Sequence, residues 1–496
     1  MFGAESPSAT GGGTGTPSGP SRREVVRLGV LLLPLLALYI IAALMNHGLY
    51  GTTGFDLAIF DQGLWHASRF ETPTSTVRQL PSILGDHWDP AILLLSPLYW
   101  VGDGTRNLLA AQPVVVLLAA FPIFNFARRR MESWPATLVA VAYAVSWGVG
   151  RGLAFDFHEL ALAAPALAFA IDRFDARDDR SFWIAALALL LTKEDQSLTL
   201  AMFFVLALLR GDRWKASFPL LVGGGWFLFA TRVLMPWAAE GRAYEHWVYG
   251  HLAPTPGALV VTLLTHPVHF IKLLFAPSLK VTLWIRTFGT FAFLPLLSPY
   301  ALLALPSLFA RLLSSEEVHW FSLLHYSMPV MAIMACAAAD GLARIGKRLG
   351  AGTRFTIGGA VAVLLVSAGI YRGSVQIGQI RHPKVSPERA RALERLLANI
   401  PPDASVTADN VVAPHLSKRR WILVAADKKR NYRTDYYVFD PDESPSMRLL
   451  ASRMRDGREY EEIGRAGETR LYRRRAGVAP DLPARPQDLP SYLPEF

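Results

Sequence analysis

The chain has 496 residues, of which 52% are hydrophobic and only 18% charged. That balance excludes an ordinary soluble domain and fits a chain that crosses a membrane many times. The net charge of +10 calls for no nucleic acid, because Arg and Lys at the ends of apolar runs and a basic C-terminal region account for it.

In chain order, residues 1–24 read as a disordered cytoplasmic N-terminus, since 1–20 are mostly Gly, Ser, Thr and Pro. Arg22, Arg23 and Arg27 precede the apolar run Leu28 to Leu44, which reads as an uncleaved signal-anchor helix. A span needs about 20 mostly apolar residues. By that measure residues 25–372 form a transmembrane domain, with about eleven spans at 26–46, 106–127, 135–150, 159–172, 181–192, 196–210, 216–236, 257–277, 287–310, 324–343 and 355–371. Basic residues fall in alternate gaps: Arg22, Arg23 and Arg27, then Arg128 to Arg130, Arg173, Arg177 and Arg180, Arg210 to Lys215, Lys280 and Arg286, and Arg344 to Arg354. The positive-inside rule then predicts a cytoplasmic N-terminus and an extracytoplasmic C-terminus. Asp172, Asp175, Asp178 and Asp179 are acids on the basic side, but acids weigh little in that rule. The lone cysteine, Cys336, lies in an apolar run, so no intrachain disulfide or multi-cysteine metal site is possible.

The other face collects carboxylates and histidines. The first outer loop, 47–105, brings Asp56, Asp61, Asp86, His87 and Asp89. The next outer gaps bring Asp156-Phe157-His158-Glu159 and Lys193-Glu194-Asp195, and later ones Glu245-His246, His251, Glu316, Glu317, His319 and His325. Charges this close to lipid are costly unless they face water, a partner or a substrate. Asp56 and Asp61 are five apart, about 140° around a helix, so they form no preformed pair. Residues 55–69 predict an amphipathic surface helix. Residues 91–101 are apolar but too short to span, and suit a re-entrant or interfacial segment.

From about 373 the character changes. Ser386 predicts an N-cap for a charged helix within 381–398. Residues 404–408, 421–424, 435–440 and 468–473 read as strands. Together 373–478 predict a small extracytoplasmic α/β domain, followed by a Pro-rich tail at 479–496. Its strands hold no acid–histidine cluster, which points to acceptor or partner recognition.

Each motif has a plain structural reading as well. Asp156 and Glu159 could simply cap and charge a helix start. Lys193-Glu194-Asp195 could be a solvated loop, and His325 a buried core histidine. Beside one another, the lysine reads as a phosphate contact and the carboxylates as orienting groups.

The segments Phe55-Asp56-Leu57-Ala58-Ile59-Phe60-Asp61-Gln62-Gly63-Leu64-Trp65, Gly85-Asp86-His87, Asp156-Phe157-His158-Glu159 and Lys193-Glu194-Asp195, with Pro414-His415-Leu416-Ser417-Lys418-Arg419, together resemble a family of large bacterial membrane proteins known as a domain of unknown function and grouped with the GT-C glycosyltransferases. The resemblance covers about 26–440. It implies a GT-C-like fold and plasma-membrane glycosyl transfer, hexosyl or pentosyl, from a polyprenyl-phosphate sugar donor to an extracytoplasmic glycan, lipid or protein acceptor. Some relatives use a divalent metal such as Mg²⁺ or Mn²⁺ and others none. The essential first-loop acid of the family falls on Asp56. The adjacent acidic pair of some relatives is missing, which leaves Asp61 as an alternative base. Asp86, His87, Arg151, Asp156, His158, Glu159, Lys193, Glu194, Asp195 and His325 become candidate substrate-binding residues, with Lys193, Arg151 or His158 on the phosphate. Two other classes remain open at this stage. A transporter or flippase would place its ionisable groups near mid-membrane in repeated halves, and an envelope-assembly protein would tolerate loss of the outer acids.

Overall fold

The computed structural model describes residues 19–242, 244, 246–371, 374–425 and 432–489. Residues 1–18, most of the expected disordered N-terminus, lie outside the described residues, as do Glu245 and residues 490–496 of the expected tail. Among the described residues, six helices are long and apolar enough to cross a membrane: Arg22–Gly48, Gly104–Arg128, Ser133–Ala154, Lys215–Ala238, His325–Arg348 and Thr353–Ile370. A seventh candidate, Pro256–Thr265 with Pro267–Phe275, is bent by 102°, where His266 and Pro267 interrupt the helical backbone.

Fewer helices among the described residues reach full spanning length than the eleven spans expected. Helices Leu160–Asp175, Asp179–Leu190 and Gln196–Leu209 occupy three of the expected places. At about 1.5 Å per residue they fall short of a bilayer core of about 30 Å. The place expected at 287–310 is broken into pieces: Ala292 and Phe293 take positive φ, and Pro295, Pro299 and Pro306 stand at the starts of two short 3₁₀ segments and the helix Leu305–Leu312 that follow. Apolar composition extends through such a stretch, but prolines without N–H groups and left-handed residues cannot continue a helix.

The centre of the membrane domain is helix Met328–Arg348, in which every residue from Met328 to Leu342 is buried. Its run of alanines lets neighbouring backbones approach closely. At Gly341 a Cβ would lie 2.2 Å from the Leu294 carbonyl, so glycine is required there. Around one end of this bundle the acids on the basic side find partners. Asp175 binds Arg130 at 2.6 Å and Arg129 at 2.9 Å, and Arg210 at 3.3 Å, while Asp172 meets Arg129 at 2.6 Å. Asp340 joins the same group through Arg130 and Ser298. These aspartates neutralise arginines among helix ends, so they do not contradict the charge pattern.

The first loop opens as a π-turn, Gly54–Ala58, continued by helix Ile59–Ser68. The 3₁₀ helix Pro90–Trp100 is the short apolar segment expected at 91–101. The C-terminal domain carries helix Pro387–Leu397, capped by Ser386 as the sequence predicts, and a five-stranded sheet. Its strands are β1 (Val406–Ala408), β2 (Ile422–Val424), β3 (Tyr436–Phe439), β4 (Tyr460–Ala466) and β5 (Thr469–Arg474), in the order β2-β1-β3-β5-β4. β1 lies parallel to β2 and β3, and β5 antiparallel to β3 and β4. Strand β4 and helix Pro445–Met454 were not expected from the sequence. β4 is rich in charge and half exposed, so it lacks the apolar alternation that marks a strand.

Candidate active site

The site lies where the first loop meets the starts of two short helices. Asp56 sits in the π-turn next to the first span. Asp156, Phe157 and His158 form the link between Trp147–Ala154 and Leu160–Asp175. Lys193 and Glu194 form the turn between Asp179–Leu190 and Gln196–Ala201. His325 begins the central helix. Polar residues occur here because the helices stop here: each interruption frees backbone groups and lets side chains turn inward.

Asp56 Oδ1 faces His158 Nε2 at 4.0 Å, and 26% of the Asp56 side chain is exposed. His158 stacks on His325 with centroids 3.2 Å apart and the planes 17° from parallel. Nδ1 of His158 contacts Glu159, whose other oxygen takes an ion pair from Lys193 Nζ at 2.6 Å. Glu159 is fully buried and Lys193 nearly so. Asp156 is held by Thr53, through N–H at 2.7 Å and hydroxyl at 2.6 Å. Gln112 Oε1 accepts from the His158 N–H at 2.7 Å and so fixes the strand-like link. Beyond Asp156 a cleft of about 230 Å³ opens, walled by Thr53, Phe155, Gln379, His382 and Lys384.

A second group adjoins the first through the Lys193–Glu194 peptide. Glu194 accepts from His87 at 2.9 Å and from the Trp88 N–H at 3.0 Å. His87 stacks on His246 at 4.3 Å, and His246 bonds Asp86 at 2.9 Å. Arg78 grips both oxygens of Asp86, at 3.2 and 3.0 Å. Asp195 accepts from the Gln196 amide at 3.0 Å. Asp89, fully buried, has no hydrogen-bond partner on either oxygen among the described residues.

The electrostatics separate these carboxylates. Burial and the neighbouring Asp156 push Asp56 up to about 7. Burial raises Asp156 to about 6, against the two Thr53 hydrogen bonds. Burial also raises Asp89 well above the carboxylate range, helped by Glu159. Glu194 goes the other way: burial opposes ionisation, but His87 and Lys193 hold it down at about 2. Lys193 stays charged because Glu159, Asp195 and Glu194 outweigh its burial. His158 is driven toward the neutral form by burial despite Glu159.

The geometry thus gathers Asp56, Asp86, His87, Asp156, His158, Glu159, Lys193, Glu194 and His325 into one connected group. Asp61 stands apart. It is fully buried and its carboxylate accepts from the hydroxyls of Tyr99, Thr105 and Ser417. Arg151 lies half-buried on the helix before Asp156. Sequence reasoning missed Arg78, Thr53 and Gln112, and left His246 as a member of a loop. None of these stands in a motif, and each is defined by what it touches.

Among the described residues, two trios offer metal-ligand atoms within 4.8 Å of one another: Asp56 with His158 and His325, and Asp86 with His87 and His246. One carboxylate with two imidazoles suits Mn²⁺ better than Mg²⁺. In the first trio the two rings lie stacked, and His158 Nδ1 is already engaged by Glu159. In the second, Asp86 is already paired with Arg78.

The fold is similar to that of ArnT from Cupriavidus metallidurans. The structure of ArnT bound to undecaprenyl phosphate aligns with a TM-score of 0.51 at 13% identity, covering 92% of this chain and 99% of that one. The apo structure gives 0.52 at 14%, covering 90% and 97%. The chain shares the ArnT fold over nearly its whole length, as the GT-C-like reading requires. No protein of curated function matches the sequence. The family described as Predicted membrane protein (DUF2079) matches residues 47–457, from the first loop through most of the C-terminal domain, and the chain belongs to that family.

Proposed function

We propose that the chain is a GT-C-type membrane glycosyltransferase, taking a hexose or pentose from a polyprenyl-phosphate donor to an acceptor on the extracytoplasmic side of the plasma membrane. The observation that carries this reading is Asp56: a partly open carboxylate raised to about 7, at the end of the first span, with a buried lysine–glutamate pair behind the histidine it faces. A general base is most effective with a pKa near the working pH. The ArnT relative bound to undecaprenyl phosphate supports a lipid-phosphate donor for this fold.

In the proposed step the acceptor hydroxyl oxygen attacks the anomeric carbon. Its proton passes to Asp56 Oδ, and the bond from that carbon to the phosphate oxygen breaks with its electron pair leaving on the phosphate. Lys193 supplies fixed positive charge on the phosphate side, oriented by Glu159. His158 and His325 form a flat imidazole wall against the sugar. Glu194 holds His87 and the Trp88 backbone in place, and Asp156 holds Thr53. Asp61, enclosed by three hydroxyls, is a tether of the loop. Were a divalent ion held by Asp56, His158 and His325, it would supply Lewis-acid stabilisation of the leaving phosphate, and Asp56 would then serve as its ligand in place of the base.

The test is analysis of envelope glycans and lipid-linked sugars in a deletion strain, followed by transfer in reconstituted vesicles. Accumulation of one polyprenyl-phosphate sugar and loss of one glycan substituent is the expected result. An unchanged glycan and lipid-sugar profile, with no turnover in vesicles, would overturn the proposal.

A further inference from the structure

We infer that Asn410, in the C-terminal domain, is a positioning residue for Asp56, and that this domain caps the turn bearing the base from outside the membrane domain. The inference rests on the reading of Asp56 given above.

A helical start leaves backbone N–H groups without intrahelical acceptors, and a local side chain usually satisfies one of them. Here the N-cap residue, Thr53, makes no cap, because its hydroxyl is bound to Asp156. The first two amides of the turn point instead to Asn410, 356 and 355 positions away. Gly54 N–H reaches the Asn410 backbone carbonyl at 2.7 Å and its Oδ1 at 2.9 Å. Phe55 N–H reaches the same Oδ1 at 3.1 Å. The next residue is Asp56.

Asn410 is itself rigidly held. Asp409, buried at the end of β1, accepts from the amides of Val411 at 3.1 Å, Val412 at 2.8 Å and Asp440 at 3.0 Å. Its own N–H donates to the Val438 carbonyl on β3 at 3.0 Å. The sheet therefore fixes Asp409, which fixes the Asn410 loop, which fixes the Gly54–Phe55 amides. Contact is close: a Cβ on Gly54 would meet Val424 at 3.0 Å, Ala413 at 3.1 Å and Asn410 Oδ1 at 3.2 Å. Further ties run beside it. Gln62 donates to the Arg419 carbonyl at 3.0 Å, Thr76 to the Ile422 carbonyl at 2.6 Å, and Ser417 to Asp61. The His415 ring stacks on His47 at 4.4 Å and on Tyr50 at 3.8 Å. An acceptor-recognition domain tethered by a linker would need none of these bonds to the base-bearing segment.

The experiment compares Asn410→Ala and Asn410→Asp in the full-length protein in lipid nanodiscs. Asn410→Ala removes the acceptor of Phe55 but leaves the backbone acceptor of Gly54; Asn410→Asp keeps an oxygen at Oδ1. Hydrogen–deuterium exchange across 53–60 should speed up about fivefold in the alanine variant, the effect of a lost cap, and return toward wild type in the aspartate variant. Turnover of the lipid-linked sugar should fall about 10- to 100-fold in the alanine variant, as expected for a misplaced catalytic group. KM for the donor should stay within about twofold, and Asn410→Asp should recover most of kcat. Unchanged exchange in Asn410→Ala overturns the capping. Faster exchange with unchanged kcat overturns the positioning role. If the wild-type protein transfers no sugar at all, the transferase reading fails while exchange alone still decides the capping.

Discussion

Replacing Asp56 by Asn tests the chemistry most directly. The side chain keeps its size, its place near the Thr53 hydroxyl at 3.4 Å and its position opposite His158 at 4.0 Å. It loses the ability to take a proton. General-base help is worth about 100- to 10,000-fold, which is about 3 to 5 kcal/mol of barrier. The pH profile carries a second, independent signature. With Asp56 near 7, kcat/KM in the wild type should rise about tenfold per pH unit in acid and level off above 7. In Asp56→Asn the residual rate should lose that limb. Stability should move the other way. The folded-state pKa of Asp56 lies above its unfolded value, so its favourable contribution is complete below the unfolded pKa and is lost as pH rises through about 7. Above that pH the wild type holds an unfavourably placed charge, and Asp56→Asn should melt no lower than wild type at pH 8. The assay is transfer from a defined polyprenyl-phosphate sugar in proteoliposomes, with thermal melting on the same samples. Near wild-type turnover in Asp56→Asn, or an acid limb that survives the substitution, would refute the assignment. Asp61→Asn supplies the contrast: its carboxylate accepts three hydroxyls in a closed pocket, so it should lower melting temperature and leave the acid limb in place.

Three further outcomes follow from other parts of the molecule. Reporter fusions after Arg130 and after Phe439 should report opposite sides of the membrane, and the same side for both would reject the N-in, C-out arrangement. Lys193→Met leaves Glu159 buried without its partner at 2.6 Å, a loss of about 3 to 5 kcal/mol; Lys193→Met with Glu159→Gln should regain most of the melting temperature but little of the activity, and full recovery of turnover would remove Lys193 from the mechanism. Asp175→Asn disrupts the group formed with Arg129, Arg130 and Arg210; it should reduce thermal stability while turnover per folded molecule stays unchanged, and a selective loss of turnover would show that this cluster takes part in the reaction.

Composition and apolar run length carry the membrane class and the order of the helical segments, because burying a backbone in lipid demands long apolar helices whatever their neighbours. Local chemistry carries the Ser386 cap and the short segment at Pro90–Trp100. The gathering of first-loop acids with Asp156-Phe157-His158-Glu159 and Lys193-Glu194 was also legible, since polar residues at one set of span ends must share a surface. Run length was misleading at 287–310, where hydropathy averages over prolines and positive-φ residues that break the helix.

What only the tertiary structure decided is which side chain meets which. Asp56 and Asp61 look alike in a line of text, five residues apart in one expected amphipathic helix. One faces a pair of stacked imidazoles and stays partly open; the other is closed in by Tyr99, Thr105 and a serine 356 positions later. Asn410 and Asp409 carry no motif at all, and their importance comes from backbone amides contributed by the opposite end of the chain. Periodicity reports a residue's preference for lipid, core or water. Hydrogen bonds and pKa values depend on atoms within a few ångströms, and those atoms are brought together only by long-range packing.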